Sequence, residues 1–426
     1  MSAWAGRRIH FVGIGGVGMC GWARVAHQLG ATVSGSDRAD GPELAELREL
    51  GVSVHVGHAA GHVPDAAEVV FNSAIPADNP ERVHARANGW PERPRAALLS
   101  ELTALRRTIA VAGAHGKTTT TSMLAHALLE LGAEPGYLIG GRLSTTQQNA
   151  DWGAGEWLVV EADESDRSML ALDVEIAVVT NVELDHHTTF GSLQEVEEAF
   201  RAFLAGAPQA VVADVPAVRA LRAPGAPATV FTTPDPPLAL RVPGAHNQRN
   251  AAAALEALAL AGFDRARATA ALGTFGGAGR RFEELGRTPA GVRVVDDYAH
   301  HPTELAAVIA AARDLTDGRI VAIFQPHLFS RTEALAAEFG AVLAAADLAV
   351  VVDIYPARER AVDFPGVTGR LVAAAVTDAR PGHDVLWLPH FADVERVLPP
   401  RLRTDDLVLV LGAGDVDALG RSLVAG

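Results

Sequence analysis

The sequence predicts an α/β protein of three domains, each built on a mainly parallel sheet with covering helices. Short apolar runs alternate with longer helical stretches along the whole chain, the pattern of strands joined by crossover helices. Three of those runs end in turns that open a helix: Gly13-Ile14-Gly15-Gly16-Val17-Gly18, Gly113-Ala114-His115-Gly116-Lys117-Thr118-Thr119 and Asp296-Asp297-Tyr298-Ala299-His300-His301-Pro302. The length of 426 residues and 49% apolar content supply more than one core. The expected domains are residues 1–105, 106–284 and 285–426.

The net charge of −15 argues against nucleic acid and anionic membranes as partners, so any phosphate ligand must be met by local positive charge. One cysteine, Cys20, excludes a disulfide framework and suits a reducing compartment; on an apolar helix it reads as packing. The amino terminus runs into a strand pattern without a charged leader and cleavable apolar stretch, and no apolar run could span a bilayer, so a cytoplasmic protein is expected.

In the first domain, the strand Arg8 to Val12 leads through the glycine turn into a helix to Leu29, closed by Gly30, and then into a strand from Thr32 to Ser34. Strand, glycine turn, helix and strand, with Asp37 about 20 positions on, form the dinucleotide-domain fingerprint. Strand patterns at 52–56 and 68–72 extend this sheet, and Pro91 and Pro94 mark its end. The second domain opens with the strand Thr108 to Ala112, the Gly113 turn and a helix from about Thr118 to Leu131. Strands at 157–160 and 176–180 end in Glu161-Ala162-Asp163-Glu164-Ser165-Asp166 and Asn181-Val182-Glu183-Leu184-Asp185-His186-His187. The proline- and threonine-rich stretch 223–237 reads as surface loop, and a turn over 242–250 leads into a helix from Ala251 to Leu260. In the third domain, strands are expected at 292–295, 320–324, 348–352, 385–388 and 407–411, with helices between.

The chain contains a single lysine, Lys117, and arginine carries the other basic positions. A phosphate loop needs a compact ammonium reaching past a glycine turn, a task the planar guanidinium does poorly. Backbone N–H groups of the turn and the helix terminus add positive potential, and the Thr118 hydroxyl is placed to touch Mg²⁺, so ATP is the expected guest. Val111 stands where a full P-loop has a further glycine, which makes this a shortened variant, and a structural turn is the competing reading. Carboxylates after two neighbouring strands point to a two-cation site, against the alternative of solvated acidic loops. Asn247 and Asn250, three apart, read equally as helix caps or as a grip on nucleotide. Arg280-Arg281 after Gly276-Gly277-Ala278-Gly279 reads as an exposed basic turn or a phosphate-neutralising pair beside a hinge. Asp297 reads as a ribose acceptor or a helix cap; His327 and Arg331 could hold a carboxylate.

Taken together, Gly13 to Met19, Gly113 to Thr121, Glu161 to Asp166, His246 to Asn250, Arg280-Arg281-Phe282, Asp296 to Glu304 and Phe324 to Thr332 resemble the Mur ligase family, in motif order and over nearly the whole chain. The resemblance implies a Rossmann-like amino-terminal domain for a UDP-sugar, a central P-loop ATPase domain and a Rossmann-like carboxy-terminal domain that closes over an amino acid. The implied activity is amide ligation through an acyl phosphate, with UDP-N-acetylmuramate and L-alanine as substrates, ATP and two Mg²⁺ ions as cofactors, and a monomer or homodimer as the working form. Carried over by position, Lys117, Glu161, His186 and Arg281 are catalytic; Gly113, His115, Gly116, Lys117, Thr118, Thr119, Asn247, Asn250, Arg281 and Asp297 bind ATP. Thr118, Glu161 and His186 hold metal; Gly15, Gly16, Gly18, Ser36, Asp37, Ser73 and Ala74 face the UDP-sugar; Tyr298, His327 and Arg331 line the amino-acid pocket. Ala114, Arg167, Thr188 and Leu328 depart from the family pattern, and the central domain is short between Thr180 and His246. Arg167 is expected to set a bulky cation beside the metal site, where it would repel Mg²⁺ or read another anion. A paralogue using another amine, an NAD oxidoreductase resting on Gly13, Gly15, Gly18 and Asp37, and a non-catalytic nucleotide sensor are the competing readings.

Overall fold

The computed structural model describes residues 3–72, 74–184 and 189–426, with the backbone alone at Val17. The strands form three separate sheets. β1 (Arg8–Val12), β2 (Thr32–Asp37), β3 (Ser53–Val56), β4 (Glu68–Phe71) and β5 (Glu92–Pro94) lie in the order β3-β2-β1-β4-β5. Every pairing in this sheet is parallel. The order reverses at β1, and that switch point lies at the glycine turn between β1 and helix Val17–Gln28, where open α/β sheets place ligands.

The second sheet comprises β6 (Arg107–Ala112), β7 (Gly136–Leu138), β8 (Ala150–Asp151), β9 (Trp157–Glu161), β10 (Ile176–Val179), β11 (Gln209–Ala213) and β12 (Thr229–Phe231), ordered β12-β11-β10-β6-β9-β7-β8. Only the β7–β8 pair is antiparallel. The stretch 223–237, expected to be loop, contains β12, which pairs parallel to β11. Its Thr-Val-Phe core is three residues of high strand propensity between proline-rich flanks, too short to show a period.

The third sheet runs β13-β14-β18-β15-β16-β17, from β13 (Glu283–Arg287), β14 (Arg293–Asp297), β15 (Ile320–Phe324), β16 (Leu348–Val351), β17 (Val385–Trp387) and β18 (Leu407–Leu411). β13 is an antiparallel edge strand with a register shift between Glu284 and Gly286, and it begins before the expected domain start at 285. Alternate residues serve opposite faces. Ala322, Phe324, Leu409 and Leu411 pack with helices Pro302–Arg313, Phe329–Leu343 and Gly369–Ala379, while Val321, Ile323, Val408 and Val410 pack with helices Phe391–Val397 and Val416–Ala425. A sheet covered on both faces needs continuous apolar strands, which is why these read as unbroken Val/Ile/Leu runs.

The chain divides into two compact units, one comprising the residues up to Leu240 with Gln248–Gly276, the other Arg241–Asn247 with Gly277–Gly426. Helix Ala245–Leu260 begins six residues earlier than the sequence pattern indicates. Asn247 is therefore inside its first turn rather than capping it, and its amide donates to the Pro243 carbonyl at 2.7 Å. Among the described residues, no helix is long and apolar enough to cross a membrane.

Candidate active site

The register of the central sheet brings its chemistry to one end. Val111 of β6 lies opposite Glu161 of β9, and Ala112 opposite Val179 of β10, so the Gly113 turn, the acidic run and Asn181 all leave the sheet side by side. Gly113 takes φ +145° and a Cβ there would lie 2.1 Å from Thr180 Oγ1; Gly116 takes φ +81° with Asn250 Oδ1 2.6 Å from its missing Cβ. No L side chain tolerates both the backbone and the crowding, so the turn must be glycine at these two points. Asn181 fixes the loop twice, accepting from the His115 amide at 2.9 Å and donating to the His115 carbonyl at 2.8 Å. The Thr180 hydroxyl donates to the same carbonyl at 2.6 Å. His115 Nε2 lies 3.3 Å from Glu183 Oε2, and Thr119 is half-buried on the helix that follows.

Lys117 opens helix Lys117–Glu130. Its Nζ donates to the Gly113 carbonyl at 2.5 Å and to both oxygens of Glu164 at 2.8 and 2.9 Å. Burial works against this charge, but Glu164 and Asp163 outweigh it and hold the ammonium above the usual lysine value. Asp163 is the mirror case: burial opposes its charge, and Lys117 with the Ser165 amide at 2.9 Å keeps it below the usual carboxylate range. Glu164, the buried partner of Lys117, lies within the acidic run, but the sequence gives no sign that it rather than its neighbours turns inward.

Glu161 Oε2 accepts from the Thr118 hydroxyl at 3.2 Å, and Oε1 from the Gly140 amide at 2.6 Å. A hydroxyl and a carboxylate oriented together are hard oxygen donors of the kind Mg²⁺ takes, so these residues fit that ion. Arg167 does not bear on them as expected. It adopts φ +59°, and its guanidinium lies 4.9 Å over the Phe190 ring and 3.8 Å from Glu195, where its charge is engaged. The left-handed backbone at Arg167 sends the side chain to that face. His186 and Thr188, like Ser73, lie outside the described residues.

In the first sheet, Gly15 N donates to Asp37 Oδ2 at 3.0 Å, and the Gly13 and Ile14 amides donate to the Ser36 carbonyl at 2.8 and 3.0 Å. The Ser36 side chain is held by protein partners. It is fully buried, donates to Glu81 Oε2 at 2.6 Å and lies 2.8 Å from His58 Nδ1, so it shapes the loop from beneath. Glu81 also accepts from the Ala59 amide at 3.3 Å, a network the sequence hides because its members are 22 and 45 positions apart. Ala74 is exposed, its amide donating to Asn72 Oδ1 at 3.0 Å. Burial pushes the Cys20 thiol up, in keeping with packing.

In the second unit, the Asp297 carboxylate accepts from the Phe282 and Ala299 amides, both at 2.8 Å. Burial pushes it up to about 6 against the pull of Arg281. It caps no helix: helix Pro302–Arg313 starts later, with His301 as cap and Glu304 completing a capping box. The arginine pair is not a bare basic turn either. Arg280 donates to Asp296 Oδ2 at 3.0 Å and to the Gly412 and Gly414 carbonyls, while Arg281 lies 5.0 Å over the Tyr298 ring. Buried Asp296 is pushed up to about 7, with Arg280 opposing. Tyr298, His300 and His327 form an aromatic run with centroids 5.4 and 5.8 Å apart, His327 stacks on Tyr355 at 5.8 Å, and Arg331 is buried. Desolvation holds His300 down at about 4. The sequence carries no separate sign of Tyr355, whereas His300 lies two residues from Tyr298 in the same motif. Leu328 takes φ +69°, and its amide donates to the Tyr355 carbonyl at 3.0 Å.

Three α/β sheets and a lysine loop backed by carboxylates define an ATP-dependent enzyme of the phosphate-loop class. Comparison with known proteins narrows this. Residues 8–107 match the "Mur ligase family, catalytic domain", 111–233 the "Mur ligase middle domain" and 280–414 the "Mur ligase, glutamate ligase domain". The UDP-N-acetylmuramate–L-alanine ligase of Thermobifida fusca is 45% identical, over 98% of this chain and 96% of its own, and that of Rubrobacter xylanophilus 42% identical over 98% and 99%. The solved UDP-N-acetylmuramate-alanine ligase of Thermotoga maritima superposes with a TM-score of 0.83 at 28% identity, covering 98% of both chains. A murein peptide ligase from Psychrobacter arcticus shares the fold, with a TM-score of 0.75 at 24% identity over 99% and 98% of the chains. The chain belongs to the Mur ligase family and is a ligase.

Proposed function

We propose that this ligase joins L-alanine to the carboxylate of UDP-N-acetylmuramate at the expense of ATP, in the synthesis of peptidoglycan precursors. The observation that carries the phosphoryl-transfer half is the cluster of Lys117, Thr118, Glu161, Asp163 and Glu164 at the carboxyl end of β6 and β9. The substrates are those named for relatives matched over nearly their whole length.

A carboxylate resists attack by an amine because it has no leaving group. Transfer of the γ-phosphoryl of ATP to a carboxylate oxygen, with ADP leaving, supplies one. The amine then adds to the acyl carbon, the nitrogen loses a proton and orthophosphate departs, leaving the amide. Lys117 would lie on the transferring phosphoryl group, where a point charge in a dry site stabilises developing negative charge. Thr118 and Glu161 would hold Mg²⁺, which neutralises phosphate oxygens when bound; His186 would hold a second ion. Asn250 and Gly116 would border the nucleotide, and Asn247, Arg281 and Asp297 are proposed as nucleotide-binding residues by their place in the family's motifs. Tyr298, His327 and Arg331 would take the amino acid, Arg331 pairing with its carboxylate. Gly15, Gly16, Gly18 and Asp37 would face the UDP-sugar.

The test is orthophosphate release with ATP, UDP-N-acetylmuramate and a panel of amino acids. Turnover should require both the sugar and L-alanine, and heavy oxygen placed in the sugar carboxylate should appear in the orthophosphate. Turnover with another amine alone, or no label transfer, overturns the proposal.

A further inference from the structure

Arg95 opens helix Arg95–Thr103 after Pro94, and its Nη1 lies 3.0 Å from where a Cβ of Gly18 would be, against the first turn of helix Val17–Gln28. That helix end is already positive. Gly16 at its cap offers no side chain, its first turn carries no acidic residue, and its dipole points the same way. A guanidinium beside it is electrostatically misplaced unless an anion joins them.

The surroundings supply only a distant one. Arg95 donates no hydrogen bond to any described residue, and the opposite charge recorded beside it is Asp163 Oδ2, 3.9 Å from Nη2. Nor is the neighbourhood short of carboxylates: Arg93, two residues earlier, pairs with Glu68 at 3.3 Å and Glu101 at 2.5 Å, and Arg7 pairs with the same two acids. Acids thus lie within hydrogen-bond distance of Arg93 and Arg7, whereas Arg95 has its acid only at the longer 3.9 Å. Its side chain is about one-third exposed, so a ligand can reach it. Asp163 in turn belongs to the Lys117 cluster, which makes Arg95 the cation standing between the first glycine turn and the phosphoryl-transfer residues.

We propose that Arg95 is a substrate-binding residue whose guanidinium grips the diphosphate of the UDP-sugar against the amino end of helix Val17–Gln28. The inference rests on the reading that the first domain takes a UDP-sugar. A fork of N–H donors matches paired phosphate oxygens, and with glycine at position 18 the fork can approach the helix end closely, where a Cβ would lie 3.0 Å from Nη1 and press it aside. Proximity to Asp163 would then hold the sugar acid toward the loop that delivers phosphate.

The experiment compares wild type with Arg95→Gln and Arg95→Lys in steady-state kinetics, and in calorimetric binding of UDP and of uridine. In the Gln variant, loss of a charge-assisted pair should raise KM for the UDP-sugar and Kd for UDP by the same factor, about 10- to 100-fold. Uridine affinity, KM for ATP and the melting temperature should not change, kcat should fall less than about threefold, and Arg95→Lys should recover part of the loss. Equal weakening of UDP and uridine would show a merely structural role and overturn the proposal. So would an unchanged KM with a large fall in kcat, which would place Arg95 at the reacting carboxylate instead. If wild-type protein binds neither UDP nor the UDP-sugar, the substrate reading itself fails, a result separate from any effect of the variants.

Discussion

Replacing Lys117 by arginine tests whether the loop needs a cation or an ammonium. The pocket is set by the Gly113 carbonyl at 2.5 Å, the Ala114 carbonyl at 3.4 Å and both Glu164 oxygens at 2.8 and 2.9 Å, distances that fit a single nitrogen. A guanidinium keeps the charge but needs more depth and a planar slot, so it must push Glu164 aside or swing out of the turn. Because a cation remains for Glu164, whose side chain is 4% exposed, the fold should lose little, about 1 kcal/mol. Catalysis should lose much more. Displacing one preorganised charge from a transferring phosphoryl group costs about 3–4 kcal/mol, or roughly 10²- to 10³-fold in kcat. Orthophosphate release over an ATP titration, alongside thermal unfolding, separates the two effects. Lys117→Met is the counterpart: it abandons a buried carboxylate, which costs about 3–5 kcal/mol of stability as well as the activity. Retention of more than about a third of wild-type kcat by Lys117→Arg would refute the argument that geometry, rather than charge, is limiting.

Glu161→Gln should raise the Mg²⁺ concentration for half-maximal turnover by about tenfold or more, read from a metal titration, because a neutral amide gives up the charge while keeping the shape. Arg167→Ala should leave that titration within about twofold of wild type, since its guanidinium is engaged with Phe190 and Glu195; a large shift would restore the idea that it addresses the metal site. His300 gives a signed pH effect. Held at about 4 in the fold and near 6.5 in the unfolded chain, it takes up its proton more readily when unfolded, so stability present above pH 6.5 is lost as pH falls toward 4. The full effect is about 3 kcal/mol, trimmed to about 2 by the 19% of the side chain open to water. In denaturant titrations, the advantage of wild type over His300→Gln should shrink by that amount between pH 7 and 4. Asp296, pushed up to about 7, runs the other way: its contribution is present below about pH 4 and lost as pH rises to 7, so wild type should gain on Asp296→Asn upon acidification.

Much of this fold is legible locally because its determinants are local. Gly113 and Gly116 declare the loop, an apolar run followed by acids declares β9 and its site, and unbroken Val/Ile/Leu runs declare strands covered on both faces. What escapes the sequence is decided by partners far along the chain. β12 is a strand because β11 lies beside it, and β13 because β14 does. Ser36 reads from sequence as a neighbour of Asp37, with no sign that Glu81 and His58 hold its side chain from beneath. Arg167 looks like an intruder in an acidic run until its left-handed backbone turns it onto Phe190. Asp297 looks like a cap until His301 proves to hold that place.

The division between one lysine and many arginines has a physical logic across the molecule. Where the structure assigns an arginine, it is commonly a clamp that uses the planar fork. Arg280 ties Asp296 to the Gly412 and Gly414 carbonyls, Arg319 joins Asp406 to the Arg401 carbonyl, and Arg106 spans the Trp152 and Gly153 carbonyls. Each such clamp fixes two chain segments at once and holds its charge at any pH, but it cannot follow a moving group. A phosphoryl group in transfer changes both position and charge, and three rotatable donors on a flexible stem can stay with it. An acidic chain that spends guanidinium on architecture still requires an ammonium at that one place, and Lys117 is where the sequence keeps it.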